Sequence, residues 1–369
     1  MTDPAHLAVP DYGGACITNI VPAVLGHPAI GSGWIPEDVL AARQVGLLLI
    51  DGLGWHQLQR CAALAPTLMA MEGRSIHTVA PSTTAAALTS ISTGVPPGEH
   101  GIVGYRIHLG TETLNALRWT TENGDARSRV QPREFQRSDV FLGQDPVVVS
   151  PTEHARSGFT EAHLDGTQYT GYPAPSALVE EFCGALNRGD RFVYGYYDKL
   201  DRIGHEFGQR GHFETEMRFV DHLVASILDR LPAGAALIIT ADHGQVHTGD
   251  QQLQLRDDVR RATRTTSGEA RFLWLHAKAG RSEELAALAK EAHDDDAWVL
   301  TRDEVVAQRW LGPMVTPDAL GRLGDVAVAA KGVAAFVEEG DRTARLIGRH
   351  GSLTAAEIDV PLLSIVSGR

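Results

Sequence analysis

Three short apolar runs in this chain end the same way. Val45–Ile50 (VGLLLI) leads straight into Asp51, and Ala236–Thr240 (ALIIT) is followed at once by Ala241, Asp242 and His243. Phe192–Tyr197 (FVYGYY) leads into Asp201 and His205 in the stretch DKLDRIGHEF. A short run that is apolar at every position suits a strand buried on both faces, as in a parallel sheet. In open α/β sheets, ligands bind at the carboxyl ends of the strands. Three independent runs therefore deliver carboxylates and imidazoles to one edge, and nothing else in the sequence narrows the fold and the chemistry as much.

The rest of the chain supports that layout. Further strands are expected at Ser75–Ala80, Ala270–Leu275, Val326–Ala330 and Pro361–Val366. Helices are expected at Pro36–Ala42, Trp55–Met71, Thr84–Ser92, Pro175–Leu186, Glu214–Leu231 and Glu283–Ala292. Strands alternating with amphipathic stretches predict an α/β fold, a mostly parallel central sheet with helices on both faces. We expect a single catalytic domain over residues 1–369. Two segments fit the alternation poorly, about 106–171 and 249–340, and are expected to be inserted loops or lids.

Charge and cysteine content exclude several function classes. With 33 basic and 46 acidic residues the chain carries −13, which argues against a nucleic-acid polymer as partner. The three cysteines, Cys16, Cys61 and Cys183, are widely spaced and odd in number, so a disulfide framework is not expected. No run approaches the roughly 18 apolar residues of a membrane span, and the N-terminus lacks the pattern of a signal peptide. A soluble, cytoplasmic protein without a membrane partner is the expectation; oligomeric state is not legible.

Taken singly, Asp51 is as readily a helix N-cap as a ligand. Taken together, Asp51, Asp201 and Asp242 with His205, His243 and His350 (in GRHGSL) offer three carboxylates and three imidazoles. That donor set suits Zn²⁺, with Mn²⁺ as the alternative. A nucleophile stands in HTVAPSTTAAALTS, where a hydroxyl opens an Ala-rich helix and meets the unpaired N–H groups of its first turn. Ser82, Thr83 and Thr84 are all candidates, for the nucleophile or for the helix cap.

The ordered motifs Asp51–Gly, PSTT…STGVPPGEHGIVGY, DRIGH, ADHG and a late HG resemble the alkaline phosphatase superfamily. Within it, they are most similar to the type I phosphodiesterase/nucleotide pyrophosphatase family. The motifs make up about a sixth of the chain but extend from Asp51 to Gly351. The resemblance implies a hydrolase that cleaves phosphodiester or pyrophosphate bonds of a small, possibly nucleotide, substrate. It implies two metal ions, usually zinc, one held by Asp51, Asp242, His243 and the nucleophile, the other by Asp201, His205 and His350. The nucleophile it implies is Thr84, forming a covalent phosphothreonine. His100 matches the family and is taken as structural. Ala85 and Ala87 stand where the animal nucleotide pyrophosphatases carry an aromatic residue and an Asn, so nucleotide selectivity does not carry over. Tyr105, Arg106 and Lys199 are the candidates for holding the substrate instead. Phosphomonoester, phosphonate and phosphomutase chemistry on the same site are the alternatives, and a catalytically inactive metal-binding protein is the reading from another class.

Overall fold

The structure, a computed structural model, describes residues 6–337 and 342–368. Its largest sheet has seven strands, here β1 (Val45–Ile50), β2 (Glu72–His77), β3 (Val147–Pro151), β4 (Gln168–Tyr172), β5 (Phe192–Tyr197), β6 (Ala236–Thr240) and β7 (Asp359–Val366). Their order across the sheet is β2-β7-β6-β1-β5-β3-β4. The pairs β6–β1, β1–β5, β5–β3 and β3–β4 are parallel; β7 runs antiparallel to both its neighbours. The mostly parallel α/β expectation holds.

The apolar runs explain the centre of this sheet. Every residue of β1, β5 and β6 is buried, as a strand covered on both faces requires. The covering helix Pro175–Arg188 lies close: a Cβ on Gly46 or Gly195 would meet the ring of the buried Phe182 at 2.6 and 2.9 Å. Because β6, β1 and β5 are adjacent and parallel, their carboxyl ends sit side by side. The Asp51 N–H donates to Tyr197 O across that edge at 2.9 Å.

Several boundaries differ from expectation for physical reasons. The predicted helix Trp55–Met71 is broken into Trp55–Arg60, a short turn at Ala62–Leu64 and Pro66–Ala70. Pro66 cannot donate a helical hydrogen bond and clashes with the preceding turn. The second strand is Glu72–His77 rather than Ser75–Ala80, because its register is set by pairing with β7, Ile76 against Val360. Two strands of the main sheet, β3 and β4, lie in the segment expected to be irregular. The rest of that segment holds four short strands, Arg106–His108, Thr113–Asn115, Thr120–Thr121 and Gly124–Asp125.

The second such segment also holds regular elements among its described residues. Thr263–Glu269, Phe272–Ala277, Val326–Ala330 and Ala297–Thr301 form an antiparallel sheet in that order, backed by helix Ser282–His293 with Leu275, Leu285 and Val328 in its own core. Arg271, at the turn between the first two strands, is fully buried and forms a bidentate pair with Glu357, Nε to Oε1 at 3.0 Å and Nη2 to Oε2 at 2.6 Å. Glu357 Oε1 in turn accepts the Ser352 N–H at 3.0 Å. The smaller sheet is thus pinned to the segment that follows His350. No helix among the described residues is long and apolar enough to cross a membrane.

Two histidines outside the strand edge are buried and neutral. His100 accepts the Ile102 N–H at Nδ1 (3.0 Å) and meets Ser90 Oγ at Nε2 (2.9 Å). Burial, with Arg322 nearby, lowers it to about 3. His163 donates from Nδ1 to Phe159 O, stacks on the Phe159 ring, and is lowered to about 4 by burial. Both folded values lie below the unfolded value near 6.5, so the stability they contribute is present above pH 6.5 and lost as pH falls toward 4. Between pH 7 and pH 5 each is expected to remove about 2 kcal/mol. Thermal melts across that range should fall steeply for the wild type and less steeply for His163→Leu; parallel profiles would contradict the assignment.

Candidate active site

The carboxyl edge of β6, β1 and β5 gathers the predicted residues into two groups. Asp51, Asp242 and His243 have ligand atoms within 4.8 Å of one another, and so do Asp201, His205 and His350. Asp51 follows its strand directly, and Asp242 follows its strand after Ala241. Asp201 and His205 lie one turn apart on helix Lys199–Phe207, which follows β5. His350 arrives from the loop before β7, where the Ser82 N–H donates to Gly351 O at 3.1 Å. The rings of His243 and His350 stack with centroids 3.5 Å apart, so the two groups share a wall.

The hydrogen bonds around these side chains leave one kind of atom over. His205 Nδ1 faces Gly348 O at 2.7 Å, His243 Nδ1 faces Gly244 O at 3.0 Å, and His350 Nδ1 faces Ser82 O at 2.8 Å. A nitrogen facing a carbonyl must carry the proton, so each neutral ring turns a bare Nε2 lone pair inward. His205 Nε2 and His350 Nε2 then lie 3.1 Å apart, and His243 Nε2 lies 3.2 Å from Asp242 Oδ2 and 3.5 Å from Asp51 Oδ1. Asp51 Oδ2 accepts the Tyr196 hydroxyl, and Asp242 Oδ1 accepts the N–H groups of Gly52 and His243, both at 3.1 Å. Asp51 Oδ1 and Asp242 Oδ2 remain buried without a hydrogen-bond partner. Converging lone pairs repel unless a cation lies among them, and imidazoles fixed through Nδ1–H···O=C are the usual outer support of metal ligands. The donor set fits two divalent cations. The crowding acts on the same groups electrostatically: burial, then Asp242 and Asp201, push the Asp51 carboxyl well up, and burial with His243 and His205 beside it pushes His350 well down.

Helix Thr84–Thr93 presents its N-terminus to the first group, and it separates the candidate hydroxyls by role. Thr83 is the N-cap, its Oγ1 accepting the Ala86 N–H. Ser82 Oγ donates to Ser352 O at 2.7 Å and accepts the Gly351 N–H at 3.1 Å, holding the loop that carries His350. Thr84 Oγ1 lies 3.1 Å from His243 Nε2 and lines the cleft.

That cleft has a volume of about 860 Å³ and runs past Thr84, Asp201, His205 and His350. Tyr105 and Arg106 line it, as do Arg118, Arg202 and Glu269. Tyr105 is held by Asn115, and Arg106 Nε donates to Gly268 O. Lys199 does not line this wall. Its Nζ sits 3.0 Å from Asp198 and 3.2 Å from Glu153, supplying the positive charge to a third acidic group of Glu153, His154 and Asp198. A smaller cavity of about 230 Å³ opens beside Thr84, with Phe159, Tyr194 and Tyr196 among its lining. Sequence reading missed Tyr196, Arg118, Arg202 and Glu269. Tyr196 was readable as a polar tip at the end of an apolar strand, and Arg202 stood beside Asp201 in DRIGH; Arg118 and Glu269 lie in segments without a periodic signal.

A sequence model of the type I phosphodiesterase / nucleotide pyrophosphatase family matches residues 45–164 and 175–353, a span that includes the six predicted carboxylate and imidazole ligands and Thr84, the predicted nucleophile. No curated protein sequence matches the chain. Among solved structures, a murine ectonucleotide pyrophosphatase / phosphodiesterase 5 is similar with a TM-score of 0.65 and 16% identity, over 86% of this chain and 87% of the other. An inactive form of the murine protein in complex with AMP gives 0.66 and 16%, over 87% of each chain. A phosphonoacetate hydrolase from Sinorhizobium meliloti 1021 in complex with phosphonoacetate gives 0.64 and 19%, over 88% of this chain and 90% of the other. At these identities the structural likeness speaks for the fold.

Proposed function

The chain belongs to the type I phosphodiesterase / nucleotide pyrophosphatase family, and from that premise we propose that it is a two-metal hydrolase of a small phosphorylated substrate, cleaving a phosphodiester or pyrophosphate bond through a phosphothreonine. The observation that carries this reading is the pair of cation-seeking groups with the Thr84 hydroxyl between them and the cleft.

Asp51, Asp242, His243 and Thr84 would hold one cation, and Asp201, His205 and His350 the other, zinc by donor type with manganese as the alternative. When bound, such ions neutralise charge on the phosphoryl oxygens and lower the pKa of a neighbouring hydroxyl. The chain's own groups do the rest. Thr84 Oγ1 attacks phosphorus in line and gives up its proton. The P–O bond opposite it breaks, and the alcohol or phosphate departs carrying that electron pair and a proton. Water then cleaves the Oγ1–P bond, returning a proton to Thr84 and releasing the phosphoryl group. His243 Nε2 lies 3.1 Å from that hydroxyl, so holding one cation in common would fix where Oγ1 points. The first-turn N–H groups of helix Thr84–Thr93 favour negative charge at the phosphoryl oxygens. Arg106, Arg118 and Arg202 give the cleft positive side chains within a chain of net charge −13. The cavity beside Thr84 is sized for a compact organic group against Phe159, Tyr194 and Tyr196.

Phosphonate hydrolysis is the second reading, because a phosphonoacetate hydrolase is as similar in structure as the murine phosphodiesterase. Turnover of bis(p-nitrophenyl) phosphate against p-nitrophenyl phosphate, with zinc and with manganese, separates the branches. A metal-dependent preference for the diester is expected. A monoester preference would move the chain to the phosphatase side, and release of phosphate from phosphonoacetate with neither ester cleaved would favour the second reading.

A further inference from the structure

The two ligand groups are joined by a residue that is neither ligand nor nucleophile. Gln245 follows His243 by two positions and is fully buried. Its Nε2 donates to Asp201 O at 3.1 Å and to Asp201 Oδ1. Its own main-chain O accepts the side-chain amides of Gln57 and Gln209, the latter at 2.6 Å. On its other side the carboxamide packs between the backbones that carry the remaining ligands. A Cβ on Gly204 would meet Gln245 Oε1 at 2.1 Å, and one on Gly348 would meet it at 2.8 Å. Gly204 precedes His205 and Gly348 lies two residues before His350. The next residue, Val246, pairs with Arg349. The segments bearing Asp242–His243, Asp201–His205 and His350 therefore meet at one carboxamide.

The amide orientation follows from its neighbours. Two acceptors, both on Asp201, face Nε2, while Oε1 lies against glycine backbone without a partner. Gln245 thereby engages one oxygen of Asp201 and leaves Oδ2, 3.3 Å from His205 Nε2, directed at the ligand group. Outer partners that fix a ligand's orientation typically matter about 10–100-fold in metal affinity.

We propose that Gln245 is a positioning residue that ties the second cation site to the first by holding Asp201 in its ligating orientation. This rests on the two-cation reading given above. The test is calorimetric titration of chelator-stripped protein with Zn²⁺, which reads binding without turnover. The wild type should take up two ions. Gln245→Met, of similar length but without a donor, should keep one ion at wild-type affinity and bind the other about 10–100-fold more weakly. Gly204→Ala perturbs the same contact without touching Gln245, and should weaken the same step even though alanine favours the helix. Two ions bound at wild-type affinity by either folded variant would overturn the proposal. Fewer than two ions in the wild type would instead remove the two-cation reading itself.

Discussion

Thr84→Ala is expected to lower turnover of bis(p-nitrophenyl) phosphate by at least about a thousandfold, equivalent to ~4 kcal/mol of barrier, with little change in melting temperature. The asymmetry follows from the division of labour at the helix start. Thr83 supplies the N-cap and Ser82 holds the His350 loop, so Thr84 is left with His243 as its hydrogen-bonding neighbour. Thr83→Ala is the matched control. It should lose about 1 kcal/mol of stability, as a missing cap does, and keep turnover within a few-fold. Near-wild-type turnover in Thr84→Ala would sink the nucleophile assignment and move it to one of the neighbouring hydroxyls.

Removing divalent cations is expected to take turnover to background and to lower the melting temperature together. A ligand held at a thousand times its dissociation constant contributes about 4 kcal/mol to the folded state. Here the stripped protein must also tolerate facing Nε2 lone pairs at His205 and His350 and unpartnered oxygens on Asp51 and Asp242. Zinc or manganese added back should restore both properties. Retained turnover in protein whose measured metal content is near zero would rule out the two-cation chemistry, whatever the substrate.

The first ligand group was legible in the sequence because the same apolar run that defines a strand also fixes where it stops. Asp51 and Asp242 needed only that stop. His350 has no such signal. It reaches the site because Ser82, 268 residues earlier in the chain, holds its loop and Glu357 braces that loop locally. Strand β4 was hidden for another reason: Gln168–Tyr172 is an edge strand whose residues are mostly exposed or half-buried, so it carries no apolar run. By contrast, β3 (Val147–Pro151) is buried throughout, and its Val147–Val149 run was in view inside an otherwise polar segment. Gln245 could not be found in sequence at all, since a lone amide has no periodicity and its role exists only where three distant segments meet. The predicted helix over Trp55–Met71 failed at a residue that was in plain view, Pro66, whose effect on backbone donors outweighs the amphipathic pattern around it.

The place of β7 bears on how the chain is made. It lies between β2 and β6 and pairs with both, yet it is synthesised nearly 300 residues after β2 and more than 100 after β6. On the ribosome, two strand edges must therefore wait unpaired for it, and such edges invite association with other chains. His350 emerges just before β7, so the delay that keeps the sheet open also keeps the second ligand group incomplete. A polypeptide that stalls or is cut before about residue 350 lacks both sheet closure and a full set of ligands. If the proposed two-cation site is right, incomplete chains are expected to be inactive rather than partly active, and their open strand edges make them the species most in need of a chaperone.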